Sequence, residues 1–327
     1  MRQLSFGTAP PSRREAERML AVPTRLLLEA RERNPALARI DLDRALECLE
    51  HAWLPYRGLR IHVEVHPVAD ASATFVIVHG LGDHGRRQLG LAAALAEHGY
   101  AAVVVDRQGH GISEGRRGDA PLEDDLGVLE LALRFARQRC GGPVVILGDS
   151  LGGIMSWYLL TREPDAEAAV CHCIGHADVH PDASFRYKQP LLRGLGKLAP
   201  RARVSVRQVA DYDHVSVDPI TKRYFDDEVD GLFNFTVSAR SAASYLGFRP
   251  RIPWERVVTP TLVMIGAADG LVTPEFTRAC FERARPPLAE YVSVPAAGHQ
   301  LFLDHLDVAM PPLFDWASRA LPGDGAA

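Results

Sequence analysis

Val144-Val145-Ile146-Leu147-Gly148-Asp149-Ser150-Leu151-Gly152-Gly153 is the stretch that decides the fold. Four consecutive apolar residues, three of them β-branched, have the length and composition of a strand buried on both faces. Residues from Leu151 to Thr161 suit a helix, so a G-x-S-x-G pattern stands between strand and helix. Such a turn is sharp enough that side chains at positions 148 and 152 would collide with neighbouring backbone, hence glycine at both. Ser150 is thereby left clear of the sheet at the mouth of the helix. Its hydroxyl is a weak nucleophile until a base takes the proton. A glycine-rich turn with serine as a simple helix cap is the plainer alternative, and the rest of the chain decides between them.

Apolar segments of the same kind recur at Thr74–Val78, Ala101–Val105 and Ala168–Ile174, with helical stretches at Gln88–His98 and Leu122–Cys140. Continuous apolar strands joined by helical crossovers imply an α/β fold with a mainly parallel central sheet covered by helices on both faces. Two later strands are expected at Thr261–Ile265 and Glu290–Val294. Gly58–Val68 alternates instead, placing Leu59, Ile61, Val63 and Val65 on one face, as in a half-buried strand. Ahead of it, Met19, Leu20, Leu26 and Leu27, then Leu42, Leu46 and Leu49, have helical spacing. They predict two helices between Ser12 and about Trp53, the second N-capped by Asp41. From about Gly175 to Pro253 the rhythm is lost among scattered prolines, and it resumes at Val257. The expected organisation is an N-terminal helical extension (1–57), a core in two pieces (58–174 and 254–321) and an inserted cap (175–253). The short tail Pro322–Ala327 is expected to fray.

Acyl transfer needs donors for the oxyanion, a base, and a carboxylate to orient that base. The amide after the nucleophile belongs to Leu151. After the strand Thr74–Val78 comes His79-Gly80-Leu81-Gly82, which makes Leu81 the candidate for the second amide and His79 a support for the loop. After Thr261–Ile265 stands Gly266-Ala267-Ala268-Asp269-Gly270, and after Glu290–Val294 stands Ala296-Ala297-Gly298-His299. Both loops lie at carboxyl ends of strands, where open α/β sheets assemble their sites. An aspartate in a loop is ordinarily a turn former and a histidine ordinarily a surface residue. Three loops in the order Ser, Asp, His together favour Ser150 as nucleophile, Asp269 as orienting carboxylate and His299 as base.

The motifs His79-Gly80-Leu81-Gly82-Asp83-His84-Gly85, Asp106-Arg107-Gln108-Gly109-His110-Gly111-Ile112-Ser113-Glu114-Gly115 and Gly148-Asp149-Ser150-Leu151-Gly152-Gly153 resemble those of the monoacylglycerol lipase and lysophospholipase-like branch of the α/β-hydrolases. A fainter likeness to that branch's cap helices runs through Ile220–Leu246, with Asp218-Pro219 and Tyr224 at familiar places. The resemblance spans roughly residues 58 to 318. It implies an α/β-hydrolase fold with a helical cap and a lipid monoester as substrate. It also implies triad roles for Ser150, Asp269 and His299 and oxyanion amides from Leu81 and Leu151, whereas Asp106 and His110 shape a loop. Two departures stand out: Asp149 occupies a position where His or Glu is usual, and the helices before Gly58 are longer than the branch carries.

The 327 residues carry a formal charge of -4 with basic and acidic side chains interspersed. Such a surface offers no field for a phosphate backbone, so no nucleic-acid partner is expected. No apolar run approaches the roughly 20 residues that span a bilayer. The first eleven residues lack the apolar core of a secretory signal, which points to the cytoplasm. Five scattered cysteines read there as reduced thiols, Cys171 and Cys173 sharing one face of a strand. No metal or cofactor is expected. Phe185, Leu191, Leu192, Leu195, Phe233, Phe235 and Tyr245 either line an acyl pocket or bury the cap against the core. A small-molecule carboxylesterase, an acyltransferase or a carbon-carbon bond hydrolase would use the same triad. A non-catalytic binding protein is the alternative of a different class, and the N-terminal helices could form a homo-oligomer contact.

Overall fold

In a computed structural model, residues 9–175, 183–208, 215, 216, 222 and 231–321 are described. Asp218, Pro219, Tyr224, the side chain of Phe185 and the tail 322–327 lie outside the described residues.

The strands are β1 (Glu50–Tyr56), β2 (Leu59–His66), β3 (Ala73–Val78), β4 (Tyr100–Val105), β5 (Val144–Gly148), β6 (Ala168–His172), β7 (Arg203–Ser205), β8 (Thr236–Ser238), β9 (Thr261–Gly266) and β10 (Ala289–Val294). Eight of them form one sheet in the order β1-β2-β4-β3-β5-β6-β9-β10, while β7 and β8 pair separately. From β4 to β10 neighbours run parallel, and β2 is antiparallel to both β1 and β4. This is the mainly parallel, helix-covered sheet expected from the apolar runs. Alternate residues of β5 show the two covered faces directly. Val145 and Leu147 pack into a cluster with helices Leu89–Glu97 and Leu306–Ala320. Val144 and Ile146 pack into another with helices Leu122–Cys140 and Leu151–Leu160.

Two local expectations are corrected. Where two N-terminal helices are expected, the described residues form four, Arg13–Met19, Ala21–Arg31, Pro35–Ala38 and Leu42–Cys48, and Glu50–Tyr56 is an antiparallel edge strand, where Pro55 is tolerated because an edge has fewer ladder bonds to lose. Its half-exposed side chains lack the apolar run that marks the central strands. The strand expected to reach Ile174 stops at His172, because Cys173 takes a left-handed φ of 64°. The N-terminal helices do not stand apart from the rest. Leu27, Ala30, Leu37 and Leu42 join the core cluster on one face of the sheet, and Asn34 donates from its side chain to the Leu303 carbonyl at 2.8 Å.

The chain leaves β3 toward β4 on one side and later places β5 on the other. A crevice opens where the strand order reverses in this way, at the carboxyl ends of the strands. The loops after β3 and β5 meet there.

Candidate active site

Gly148, the last residue of β5, has no room for a Cβ beside the Gly152 carbonyl, and a Cβ at Gly152 would overlap the Val78 carbonyl. The turn between them therefore closes against β3, and Ser150 is forced to φ 54° and ψ -117°. Backbone strain in a residue other than glycine persists only where its surroundings over-determine it. Ser150 Oγ lies 3.0 Å from His299 Nε2. On the far side of the ring, Nδ1 lies 2.8 Å from Asp269 Oδ2. The other carboxylate oxygen accepts from the Leu271 and Val272 amides at 2.9 and 2.8 Å. Burial alone would raise the Asp269 carboxyl; the hydrogen bond and charge of His299 and the Val272 amide outweigh it and hold the group below its ordinary value. The three side chains named from loops far apart in sequence are thus in one hydrogen-bonded chain.

Asp149 does not face open solvent. It is buried, with Oδ1 2.6 Å from His172 Nδ1 and Oδ2 accepting from Gln88 at 3.1 Å. Burial pushes its carboxyl up and the His172 bond pulls it down, with the net effect downward. The His172 ring stands 5.5 Å from that of His299. Neither Gln88 nor His172 was singled out from sequence, since a strand-terminal histidine carries no motif. Cys173 Sγ lies 3.7 Å from Asp269 Oδ2, and burial raises its thiol far above the ordinary value, so it is a neutral neighbour.

Gly80 abuts Ser150: a Cβ there would come within 3.3 Å of Ser150 Cβ. Leu81, next to Gly80 in the loop after β3, and Leu151, the first residue of the helix that follows Ser150, both line a cavity of about 240 Å³. Leu192, Val204, Val206, Val237 and Leu246 are part of its apolar wall. Of the aromatic and aliphatic residues named from sequence, Leu192 and Tyr245 line it. Leu191 is exposed, and Phe233 and Phe235 pack with Val215 in a separate cluster against Leu26 and Leu271. The valines of the small β7–β8 sheet gave no sequence signal, because strands of three residues have no readable period.

Among the described residues, two sets of side chains are close enough to share a cation: His172, Cys173, Asp269 and His299, and His51, His62 and Glu64. In the first, His299 already bridges Ser150 and Asp269. In the second, Glu64 already has a cation, Arg86 at 2.7 Å. No helix among the described residues is long and apolar enough to cross a membrane.

Residues 69–305 match the protein family described as serine aminopeptidase, S33. A monoacylglycerol lipase of Mycolicibacterium smegmatis is 26% identical over 266 residues, covering 77% of this chain and 90% of that protein. An uncharacterized abhydrolase domain-containing protein of Dictyostelium discoideum is 34% identical over 106 residues, 32% of this chain and only 11% of the longer relative. Among solved structures, a monoacylglycerol lipase from Paleococcus ferrophilus superposes with a TM-score of 0.68 at 22% identity, over 80% of this chain and 99% of that one.

Proposed function

The chain belongs to the α/β-hydrolase family described as serine aminopeptidase, S33, in its monoacylglycerol lipase-like branch, and from that premise we propose that it is a serine hydrolase of lipid monoesters. Ser150 attacks the ester carbonyl, His299 takes its proton, and Asp269 stays ionised to orient and stabilise the imidazolium. The Leu81 and Leu151 amides hold the oxyanion. The alcohol leaves with the proton from His299, and water activated by the same imidazole releases the acid from the acyl-enzyme. Within 175–253, the described residues that line the cavity, among them Leu192, Val204, Val237 and Leu246, belong on this reading to a cap, and the location we propose is the cytoplasm.

The observation that carries this function is the hydrogen-bonded run from Ser150 through His299 to Asp269, with a strained serine, beside an apolar cavity. An ester with an acyl chain suits that cavity better than a peptide with a free amino terminus. An α-ammonium group would call for a carboxylate whose charge is unpaired, and among the described lining residues the single carboxylate, Asp125, is buried and already paired through one oxygen with the Arg107 guanidinium. Monoacylglycerols and lysophospholipids are the substrate class of choice.

Labelling with a fluorophosphonate, followed by peptide mass analysis, tests the nucleophile. Stoichiometric modification at Ser150, lost in Ser150→Ala, is expected. Well-folded wild-type protein that takes no label would remove the hydrolase and favour a binding protein. A panel of monoacylglycerols, lysophospholipids, short esters and aminoacyl amides then ranks substrates; preference for the amides would overturn the ester assignment.

A further inference from the structure

A peptide unit is rigid, and in the trans form its C=O and N–H point in opposite directions. No described peptide bond is cis. Whatever anchors the Gly80 carbonyl therefore sets the direction of the Leu81 N–H. Two donors anchor it. Arg107 reaches the Gly80 oxygen from its guanidinium at 2.9 Å, and His79 reaches it from Nδ1 at 2.9 Å. The tautomer of His79 is determined as well, because its Nε2 accepts from the Arg107 amide at 3.2 Å. Burial lowers the pKa of this ring well below the ordinary value, so it stays neutral, with one nitrogen donating and one accepting. At the other end of the loop the Gly82 carbonyl accepts from the Asn234 amide at 2.9 Å.

The guanidinium is itself anchored. Arg107 is buried and pairs with buried Asp125 at 3.1 Å. The same Asp125 oxygen accepts from the Tyr245 hydroxyl at 2.7 Å. Arg107 Nε and Asp125 Oδ1 are left buried without a hydrogen-bond partner. A buried ion pair with unmet hydrogen bonds contributes little to stability relative to apolar residues of the same volume. Its geometry serves the loop instead.

We infer that Arg107 is the positioning residue of the oxyanion site: held by Asp125 and Tyr245, it fixes the Gly80 carbonyl and so aims the Leu81 amide at the reacting oxygen. A positive charge on that carbonyl also polarises the peptide and strengthens its N–H as a donor. The inference rests on the serine-hydrolase function proposed above. It adds that the helix Ala239–Leu246, which carries Tyr245 along the cavity wall, is tied by hydrogen bonds to the loop that stabilises the transition state.

Arg107→Met, Arg107→Lys and Tyr245→Phe test it, with a monoacylglycerol as substrate and a trifluoromethyl ketone of the same chain length as a probe of oxyanion binding. Loss of one oxyanion donor costs about 10²–10³ in kcat. Arg107→Met, which misaims the donor, is expected to lower kcat by about 10- to 100-fold with KM within about twofold. The ketone should weaken in parallel, and Arg107→Lys should recover part of the loss. Tyr245→Phe, a single-hydroxyl deletion, should lower kcat about threefold with the same split, and decides the matter if Arg107→Met does not fold. A folded Arg107→Met with wild-type kcat, or one in which KM alone rises, overturns the inference. So does Tyr245→Phe with unchanged kcat should it have to stand alone. The hydrolase function fails separately, through a wild-type protein that fluorophosphonate does not label.

Discussion

Among the described residues, two of the chains that link a buried histidine to a buried aspartate are built alike at one end only. In one, Asp269 Oδ2 lies 2.8 Å from His299 Nδ1; in the other, Asp106 Oδ2 lies 2.8 Å from His62 Nδ1. Beyond the imidazole they diverge. His299 faces the hydroxyl of Ser150 on strained backbone beside a cavity. His62 faces His51 at 2.8 Å, and His51 in turn faces Glu17 at 2.9 Å, a carboxylate shared with buried Arg86. The second chain is closed at both ends by carboxylates and ties the helix Arg13–Met19 to β1, β2 and the loop after β4. An aspartate beside a histidine is therefore not a sign of catalysis in itself. What matters is whether the far nitrogen meets a nucleophile next to space for a substrate or another buried group of the scaffold.

The widest separation between the two should come from Ser150→Ala. Turnover of a monoacylglycerol is expected to fall by roughly 10⁶ while the melting temperature stays within a few degrees; steady-state assays alongside calorimetry check both. Asp269→Asn should lower kcat by about 10⁴, since the amide leaves His299 without its charged acceptor. Substantial turnover by either variant would erase the distinction.

Acid should attack the closed chain and its surroundings. His66, facing Glu64, Arg86 and His51, is brought by burial from 6.5 down to about 4. His79, facing Arg107, Asp106 and His84, and His110, facing Arg107, His79 and Arg117, are also held by burial well below the ordinary value. Above pH 6.5 these rings are neutral whether the chain is folded or not. As pH falls toward about 4, the unfolded chain takes up protons that the folded one refuses, and stability drops, by of order 3 kcal/mol for His66. Burial tends to raise Glu17, but His51 and Arg86 bring it to about 2, so its contribution is present above pH 4.5 and lost as pH falls toward 2. Thermal melts between pH 8 and pH 3 should show a steady decline; a flat profile would contradict these environments.

The smallest effect belongs to Glu17→Gln, which keeps the shape and removes the charge. A loss of about 1 kcal/mol is expected, with kcat and KM unchanged. A fall in kcat comparable to that of Asp269→Asn would mean that the closed chain participates in the chemistry after all.

Much of this could be read from the chain because it is written in local sterics and short periods. The central strands β3, β4, β5 and β9 are dominated by apolar residues and lie within a residue or so of where the sequence puts them, as does the mixed edge strand β10. The glycines around Ser150 declare their turn because no side chain fits against the facing carbonyls. The loops carrying Asp269 and His299 were found by their place after strands. Edge strand β1, with a proline and half-exposed side chains, has no such run and was taken for helix. The partners of Asp149, the anchors of the Gly80 carbonyl and the walls of the cavity lie beyond local pattern. Gln88 and His172, or Arg107, Asp125 and Tyr245, meet only when helices pack across the sheet; Arg107 stands inside a motif and Tyr245 is a candidate pocket residue from sequence, but no local pattern pairs them. Periodicity records which face of an element is buried; which group stands opposite it is decided by sheet order and helix packing, and that is where Phe233 and Phe235 are turned away from the cavity and the short-strand valines Val204 and Val237 toward it.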